Sequence, residues 1–166
     1  MRFLLRSLVL LLLVLWVGGS MFFPIVAASA FSVLPIHQAG LVVGKSLPIL
    51  QFEGLVAGAL LILFLALGQR IRAFSRNVIA PIILVAIMMG LTAFSQFSII
   101  PRMQNARIEA GGNIESVPRT NPYRAEFDRL HREDVKVFEI VLISGIVATL
   151  AVAWAAAPGA TTNPRT

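Results

Sequence analysis

Four long apolar stretches, separated by shorter polar segments, dominate the hydropathy pattern of the chain. They cover residues 3–34, 41–67, 78–100 and 135–157 of 166. A helix of about 20 apolar residues crosses the hydrocarbon core of a bilayer, and each stretch is at least that long. The pattern predicts an all-α polytopic membrane protein. Residues 1–157 are expected to form a four-helix transmembrane bundle, and residues 158–166 a disordered tail.

Proline, glycine and asparagine mark the predicted helix ends. Pro35 predicts a turn, so the second helix is expected to begin near His37. Asn77 is placed to cap the third helix, which is expected to end near Pro101 at the membrane edge.

A polar segment, residues 102–134, separates the third and fourth spans and carries six arginines and six acids. Gly111-Gly112 and Val117–Pro122 are expected to be loop. Asn121 followed by Pro122 is typical of an N-cap and first helical residue. Opposite charges at helical spacing then predict a polar helical extension that continues into the fourth span, with the pairs Arg124–Asp128 and Arg129–Glu133.

The first stretch also resembles a secretory signal, because Arg2 and Arg6 precede an apolar run and Ala28-Ser29-Ala30 imitates a cleavage site. The apolar run is longer than a usual signal core. We therefore expect it to be retained as the first membrane helix, with cleavage as the alternative.

Composition narrows the classes of function. With 57% apolar residues and a mean hydropathy of +0.84, the chain is too apolar for a soluble domain of this size. The absence of cysteine excludes disulfides and thiolate chemistry. Its net charge of +6 does not indicate nucleic-acid binding, because the cations lie at span borders, where they anchor lipid headgroups. No nucleotide-binding, protease or paired-carboxylate motif is present, so we expect a protein that is not an enzyme.

The flanking cations also bear on orientation. Arginines at positions 70, 72 and 76 and near the N-terminus favour cytoplasmic termini in a bacterial inner membrane, since the first loop offers only Lys45. The arginines of residues 102–134 favour the opposite orientation. Cytoplasmic termini are the expectation we adopt.

Small residues are placed for close helix packing. Gly18 and Gly19 lie in the first span, and Gly54 and Gly58 form a small-xxx-small spacing in the second. We expect packing within one chain, with a homodimer through Gly54 and Gly58 as the alternative.

Glu53 is the most informative polar residue, because its helical neighbours cannot compensate a charge. A carboxylate at membrane depth costs several kcal/mol unless it is paired, protonated or hydrated. Candidate partners from other helices are Lys136, Arg102 and His131. Structural pairing and a role in ion or proton handling both remain open. Glu139 is expected to pair locally, with Lys136 or Arg132.

His131 and His37 could together ligate haem or a metal. No His-x3-His spacing supports this, and a histidine hydrogen-bonded near the interface is the commoner arrangement. We therefore expect no cofactor.

Short motifs distributed along residues 10–155 resemble the family of transmembrane protein 205 and its bacterial relatives, whose bacterial members are labelled a domain of unknown function. The resemblance implies a four-helix membrane bundle, places Glu53 and His131 among the family-pattern positions, and implies no established reaction. The motifs are Trp16-Val17-Gly18-Gly19, Phe22-Phe23, Phe31-Ser32-Val33-Leu34-Pro35, Ala39-Gly40, Glu53-Gly54 with Gly58, Pro101-Arg102-Met103, and Phe127-x-x-Leu130-His131 before Gly145.

Three functional hypotheses follow. The first is an integral membrane protein without enzymatic activity that acts through helix packing or protein interaction. Its partners would be the lipid bilayer and a second copy or another membrane protein. The second is a transport or proton-coupling component that uses Glu53, and the third is a small haem- or metal-binding redox protein that uses His131.

Overall fold

The computed structural model describes residues 2–157, which form four long helices. We name them α1 (Arg2–Val33), α2 (Ile36–Arg70), α3 (Ile79–Glu109) and α4 (Pro122–Ala156). Each is long and apolar enough to cross a membrane, and the described range contains no strand. The predicted all-α membrane bundle is confirmed. The predicted disordered tail lies outside the described residues.

The helices form an up-and-down bundle in which each helix contacts the next, and α4 returns to contact α1. Hydrogen bonds join the N-terminus, the α2–α3 loop and the end of α4. Arg6 donates to the carbonyl of Ala73, and the amide of Ser75 donates to the carbonyl of Ala155 at 2.9 Å. The N-terminus, the α2–α3 loop and the end of α4 therefore share one end of the bundle, which we call the terminal end. The α1–α2 and α3–α4 connections form the opposite end.

The tightly packed apolar core lies in the half of the bundle nearer the terminal end. It uses the first part of α1 and α3 and the last part of α2 and α4. Its fully buried side chains interdigitate across all four helices, as in a close-packed protein interior; they include Leu13, Trp16, Leu61, Leu65, Val85, Met88, Ala148 and Val152.

The structure corrects the predicted end of the third helix at Pro101, because α3 continues through it to Glu109. A π turn, Ser95–Ile99, directly precedes the proline, and the amide of Ile100 donates to the carbonyl of Ser95. Pro101 falls in the first turn after this wide turn. Proline cannot donate the usual backbone hydrogen bond to the preceding turn, and the π turn alters the hydrogen bonding of that turn. Residues 102–109, which lie beyond the predicted third span, are therefore helical, whereas the predicted loop at Gly111-Gly112 is confirmed.

The predicted start of the last helix is confirmed. The side chain of Asn121 accepts hydrogen bonds from the amides of Tyr123 at 2.9 Å and Arg124 at 3.3 Å. These bonds satisfy amides that lack partners at a helix start. From Pro122, α4 runs without interruption from the polar segment into the fourth apolar span.

Candidate functional site

A cavity of about 600 Å³ lies between the helices in the half of the bundle opposite the packed core. It is bounded by the second half of α1, the start of α2, the end of α3 and the first half of α4. Phe31 and Ile36 at its edge are 48% and 61% exposed. The cavity therefore reaches the outer surface of the bundle beside the α1–α2 turn.

Two glycines on α2 help to keep this space open. A side chain at Gly40 would meet the Nη2 atom of Arg107 at 3.5 Å, and one at Gly44 would meet the Nε2 atom of Gln104 at 3.7 Å. These are ordinary van der Waals distances, so the absence of side chains at Gly40 and Gly44 leaves about the space of one methyl group at each position, and larger side chains there would enter the cavity.

The cavity has an apolar part and a charged part. Its apolar wall comes from α1, α2 and α4, with the side chains Phe23, Pro24, Ala27, Val43, Leu47, Phe138 and Leu142. Ionisable side chains lie on α3, α4 and the connection between them: Arg107, Glu115, Arg124, His131, Asp134 and Glu139. A site with an apolar body and a few convergent polar groups is typical of binding sites for small molecules.

Arg107 is 9% exposed, and among the charged residues of this lining only Asp134 is more buried. Its guanidinium carbon lies 5.2 Å from the ring centre of Phe127, within the range of a cation–π contact. Its Nε atom is buried without a hydrogen-bond partner. Among residues 2–157, no carboxylate forms an ion pair with it.

Other charges at this end have partners in the chain. Glu115 lies 3.7 Å from the Nδ1 atom of His37, a distance that becomes an ion pair when the histidine is protonated. Arg124 donates to the carbonyl of Ile114 at 2.6 Å and lies 3.6 Å from Asp128. The first predicted i,i+4 pair is therefore present, and Arg124 also holds the α3–α4 connection against α4.

A buried chain of hydrogen bonds reaches the cavity from the bundle interior. The side-chain amide of Gln51 on α2 donates to the Ser95 hydroxyl at 2.8 Å, and Ser95 donates to Asp134 on α4. All three side chains are buried, and Asp134 also lines the cavity. These hydrogen bonds link α2, α3 and α4, so they stabilise this half of the bundle, where the apolar core is absent.

Glu53 does not pair with any of the three residues predicted as candidates. It is half-buried, its Oε1 atom lacks a hydrogen-bond partner, and it does not line the cavity. Arg102 pairs with Glu126 at 3.0 Å instead. Lys136 is exposed, and within residues 2–157 no ion pair joins it, or Arg132, to Glu139. The predicted local salt bridge of Glu139 is therefore wrong.

The two histidines lie in different environments. His131 is exposed, lines the cavity and stacks on Phe127, with ring centres 6.3 Å apart and planes at 10°. His37 is the second residue of α2, not part of a turn, and faces Glu115. No group of three or more His, Cys, Asp or Glu side chains in the described part of the chain is arranged to hold a metal ion.

An exposed network of charges covers the polar part of α4 before the predicted fourth span. Arg129 contacts Glu126 at 2.7 Å and Glu133 at 2.9 Å, which includes the second predicted i,i+4 pair. The hydrogen bonds that Arg129 donates lower the pKa of Glu126 below its usual range. Such exposed pairs contribute little to stability individually, and they keep this surface hydrated.

The predicted packing glycines act within one chain. The indole of Trp16 lies directly against Gly54, and a side chain at Gly58 would meet Met89 at 2.6 Å and Trp16 at 2.8 Å. Gly19 contacts Leu50 of α2, whereas Gly18 faces only its own helix. Trp16 therefore packs against α2 at both Gly54 and Gly58.

Two residues of the site were missed from the sequence, Arg107 and Asp134. Arg107 was missed because the predicted third span ended at residue 100; on the helix it shares a face with Met103 and Gln104, which also line the cavity. Asp134 was recognisable in principle, since it lies four residues after Leu130 and seven before Val141, on the buried stripe of α4.

Comparison with known proteins identifies a family of unknown function. No curated protein and no solved structure matches the chain. A domain of unknown function, DUF4149, matches residues 11–111, from α1 to the end of α3. This description agrees with the predicted label and does not itself connect the chain to transmembrane protein 205. Because the match covers more than half of the 166 residues, the chain belongs to the DUF4149 family of domains of unknown function.

Proposed function

We propose that this chain is an integral membrane protein without enzymatic activity whose role is to bind a lipid-like molecule between its helices. The cavity of about 600 Å³ carries this proposal, because it combines an apolar wall with a charged end. Its volume falls within the range of about 300–1,000 Å³ common for ligand sites. A lipid-like molecule has the same two parts, an apolar chain and a polar head.

The position of the cavity supports entry from the bilayer. Its edge residues Phe31 and Ile36 lie on the exposed surface at the α1–α2 turn. The apolar chain of a lipid-like molecule that enters there would contact Phe23, Leu47 and Phe138. The polar head of the molecule would then lie toward the charged residues on α3 and α4. The protein would then act through this bound molecule and through contact with a second copy or another membrane protein.

The test is to identify what the protein retains when it is purified gently in a non-ionic detergent. We expect native mass spectrometry to show a bound lipid-like molecule on the wild type and much less on Gly44→Leu, whose side chain would fill the cavity. Gly90→Leu is the matched control, because a side chain at Gly90 meets nothing within 4 Å. Equal retention by all three folded proteins would contradict the proposal.

The proposed location is a bacterial inner membrane with both termini in the cytoplasm. The chain contains no cysteine, so single cysteines can be labelled without background. We expect a membrane-impermeant maleimide to label Arg119→Cys in intact cells, and to label Arg72→Cys only after the cells are opened. The reverse pattern would show the opposite orientation.

Proton coupling through Glu53 is a second candidate, supported by one observation. The Oε1 atom of Glu53 is buried without a hydrogen-bond partner, and the side chain has no ion-pair partner in the described residues. An ionisable residue within a membrane span is characteristic of ion and proton pathways. If proton movement accompanies the activity, Glu53→Gln would abolish it in a folded protein, and an active folded variant would rule it out.

A further inference from the structure

We infer that the molecule in this cavity carries an anionic head group, a phosphate or a carboxylate, and that Arg107 binds it. The inference rests on the proposed function and adds the chemistry of the ligand. The observation behind it is the side chain of Arg107, which is 9% exposed, lines the cavity and has no carboxylate partner among residues 2–157.

The charge of Arg107 requires compensation. Arginine stays protonated in proteins, and a cation removed from water without a partner is strongly unfavourable. The ring of Phe127, 5.2 Å from the guanidinium carbon, compensates only part of this loss. The Nε–H, buried without an acceptor, also needs a partner. An anion in the cavity would satisfy both the charge and this donor.

The neighbouring acids explain why the missing partner is an anion from outside the chain. Glu115 and Arg107 both flank Gly40, but Oε2 of Glu115 lies 3.7 Å from Nδ1 of His37, and no ion pair joins Glu115 to Arg107. Asp134 accepts from Ser95, and Glu139 lies on the exposed surface of α4. In the described part of the chain, none of these acids forms an ion pair with Arg107, whose Nε atom is buried without an acceptor.

The geometry of the guanidinium group selects the class of head group. Its N–H donors form a planar fork that matches the oxygens of a carboxylate or phosphate, and such charge-assisted pairs are stronger than neutral hydrogen bonds. An anionic head at Arg107 leaves the attached chain beside the apolar wall of the same cavity. A single-chain phosphate or carboxylate amphiphile therefore fits the site.

The experiment measures binding of radiolabelled probes to the full chain in micelles of a non-ionic detergent, with protein-free micelles subtracted. The probes are dodecyl phosphate, dodecanoate, dodecanol and inorganic phosphate. We expect the first two to bind at least about tenfold more tightly than dodecanol, the ratio typical of a hydrogen bond to a charged group. Arg107→Gln should remove this preference, and Arg107→Lys should keep part of it. Arg132→Gln, which changes an exposed arginine of α4, should have no effect.

Each contrary result has a distinct meaning. Equal binding of dodecanol and dodecyl phosphate to the wild type would overturn the anionic head group and leave the proposed function intact. Tight binding of inorganic phosphate alone would show a site for a free anion and overturn the lipid-like ligand. Absence of binding by every amphiphile would overturn both proposals. The comparison of probes on the wild type decides these outcomes even if Arg107→Gln does not fold.

Discussion

The hydroxyl of Ser95 on α3 donates a hydrogen bond to the carboxylate of Asp134 on α4, inside the bundle. Gln51 on α2 donates to the same hydroxyl at 2.8 Å, so one serine connects three helices. Hydrogen bonds between helices stabilise membrane bundles. Burial of apolar side chains provides little driving force there, because the surrounding lipid is as apolar as the protein interior. These hydrogen bonds stabilise the half of the bundle that contains the cavity.

Replacing Ser95 with alanine should destabilise the bundle by about 1–2 kcal/mol, because it leaves two buried groups, on Gln51 and Asp134, without a partner. Unfolding in mixed micelles of sodium dodecyl sulfate measures the change. Ser98→Ala in the same π turn is the matched control and should have a smaller effect. Equal stability of Ser95→Ala and wild type would show that the chain of hydrogen bonds contributes nothing.

Replacing Gly58 with alanine should destabilise the protein by about 1–3 kcal/mol, the usual cost of overpacking. The added methyl group would meet Met89 at 2.6 Å and Trp16 at 2.8 Å. Thermal unfolding in detergent measures the effect, with Gly90→Ala as the control at an open position. The double variant with Trp16→Leu should recover part of the loss. A change in oligomeric state without loss of monomer stability would instead favour the homodimer interface.

Replacing Glu53 with glutamine should raise the stability of the protein by on the order of 1 kcal/mol. The substitution removes a half-buried carboxyl group that has no ion-pair partner in the described residues. The same unfolding assay in mixed micelles measures it. Glu139→Gln, at an exposed position, should change stability little. A clear loss of stability in Glu53→Gln would indicate that the charge has a stabilising partner.

Replacing Arg76 with glutamine should destabilise the terminal end by about 1–2 kcal/mol. The guanidinium carbon of Arg76 lies 4.3 Å from the ring centre of Trp154, and its Nη1 atom donates to the carbonyl of that residue at 2.6 Å. Hydrogen exchange at the amides of Ser75 and Arg76, which both donate to Ala155, should accelerate. Unchanged exchange would show that these contacts do not hold the loop. Arg72→Gln in the same loop is the control.

The fold could be predicted because its strongest determinant is local. Twenty or more consecutive apolar residues require a helix in a bilayer, where every backbone N–H and C=O must be satisfied within the segment. The cap at Asn121 and the ion pair Arg124–Asp128 also depend on residues close in sequence, and both were predicted correctly. The passage of α3 through Pro101 was not, because a π turn in the preceding residues accommodates the proline.

The candidate site could be predicted only in part. His131 was a candidate from the sequence, and it does line the cavity. Glu53 stood out from its apolar neighbours, yet it lies outside the cavity lining. Arg107 and Asp134 looked like ordinary charges of a polar segment. Their importance depends on burial by the other helices, and the spacing of residues along a single helix does not show that burial.

By itself, the sequence determined that the chain is a membrane bundle, since helix formation and membrane insertion follow from the length and apolar character of each span. Only the tertiary structure decided which surfaces meet. A Cβ at Gly54 or Gly58 would clash with Trp16, whereas a Cβ at Gly40 or Gly44 would be in ordinary contact with Arg107 or Gln104. Glycine therefore permits close helix packing at the first pair and borders the cavity at the second. The difference lies in the side chain that the opposite helix presents, which depends on the packing of all four helices together.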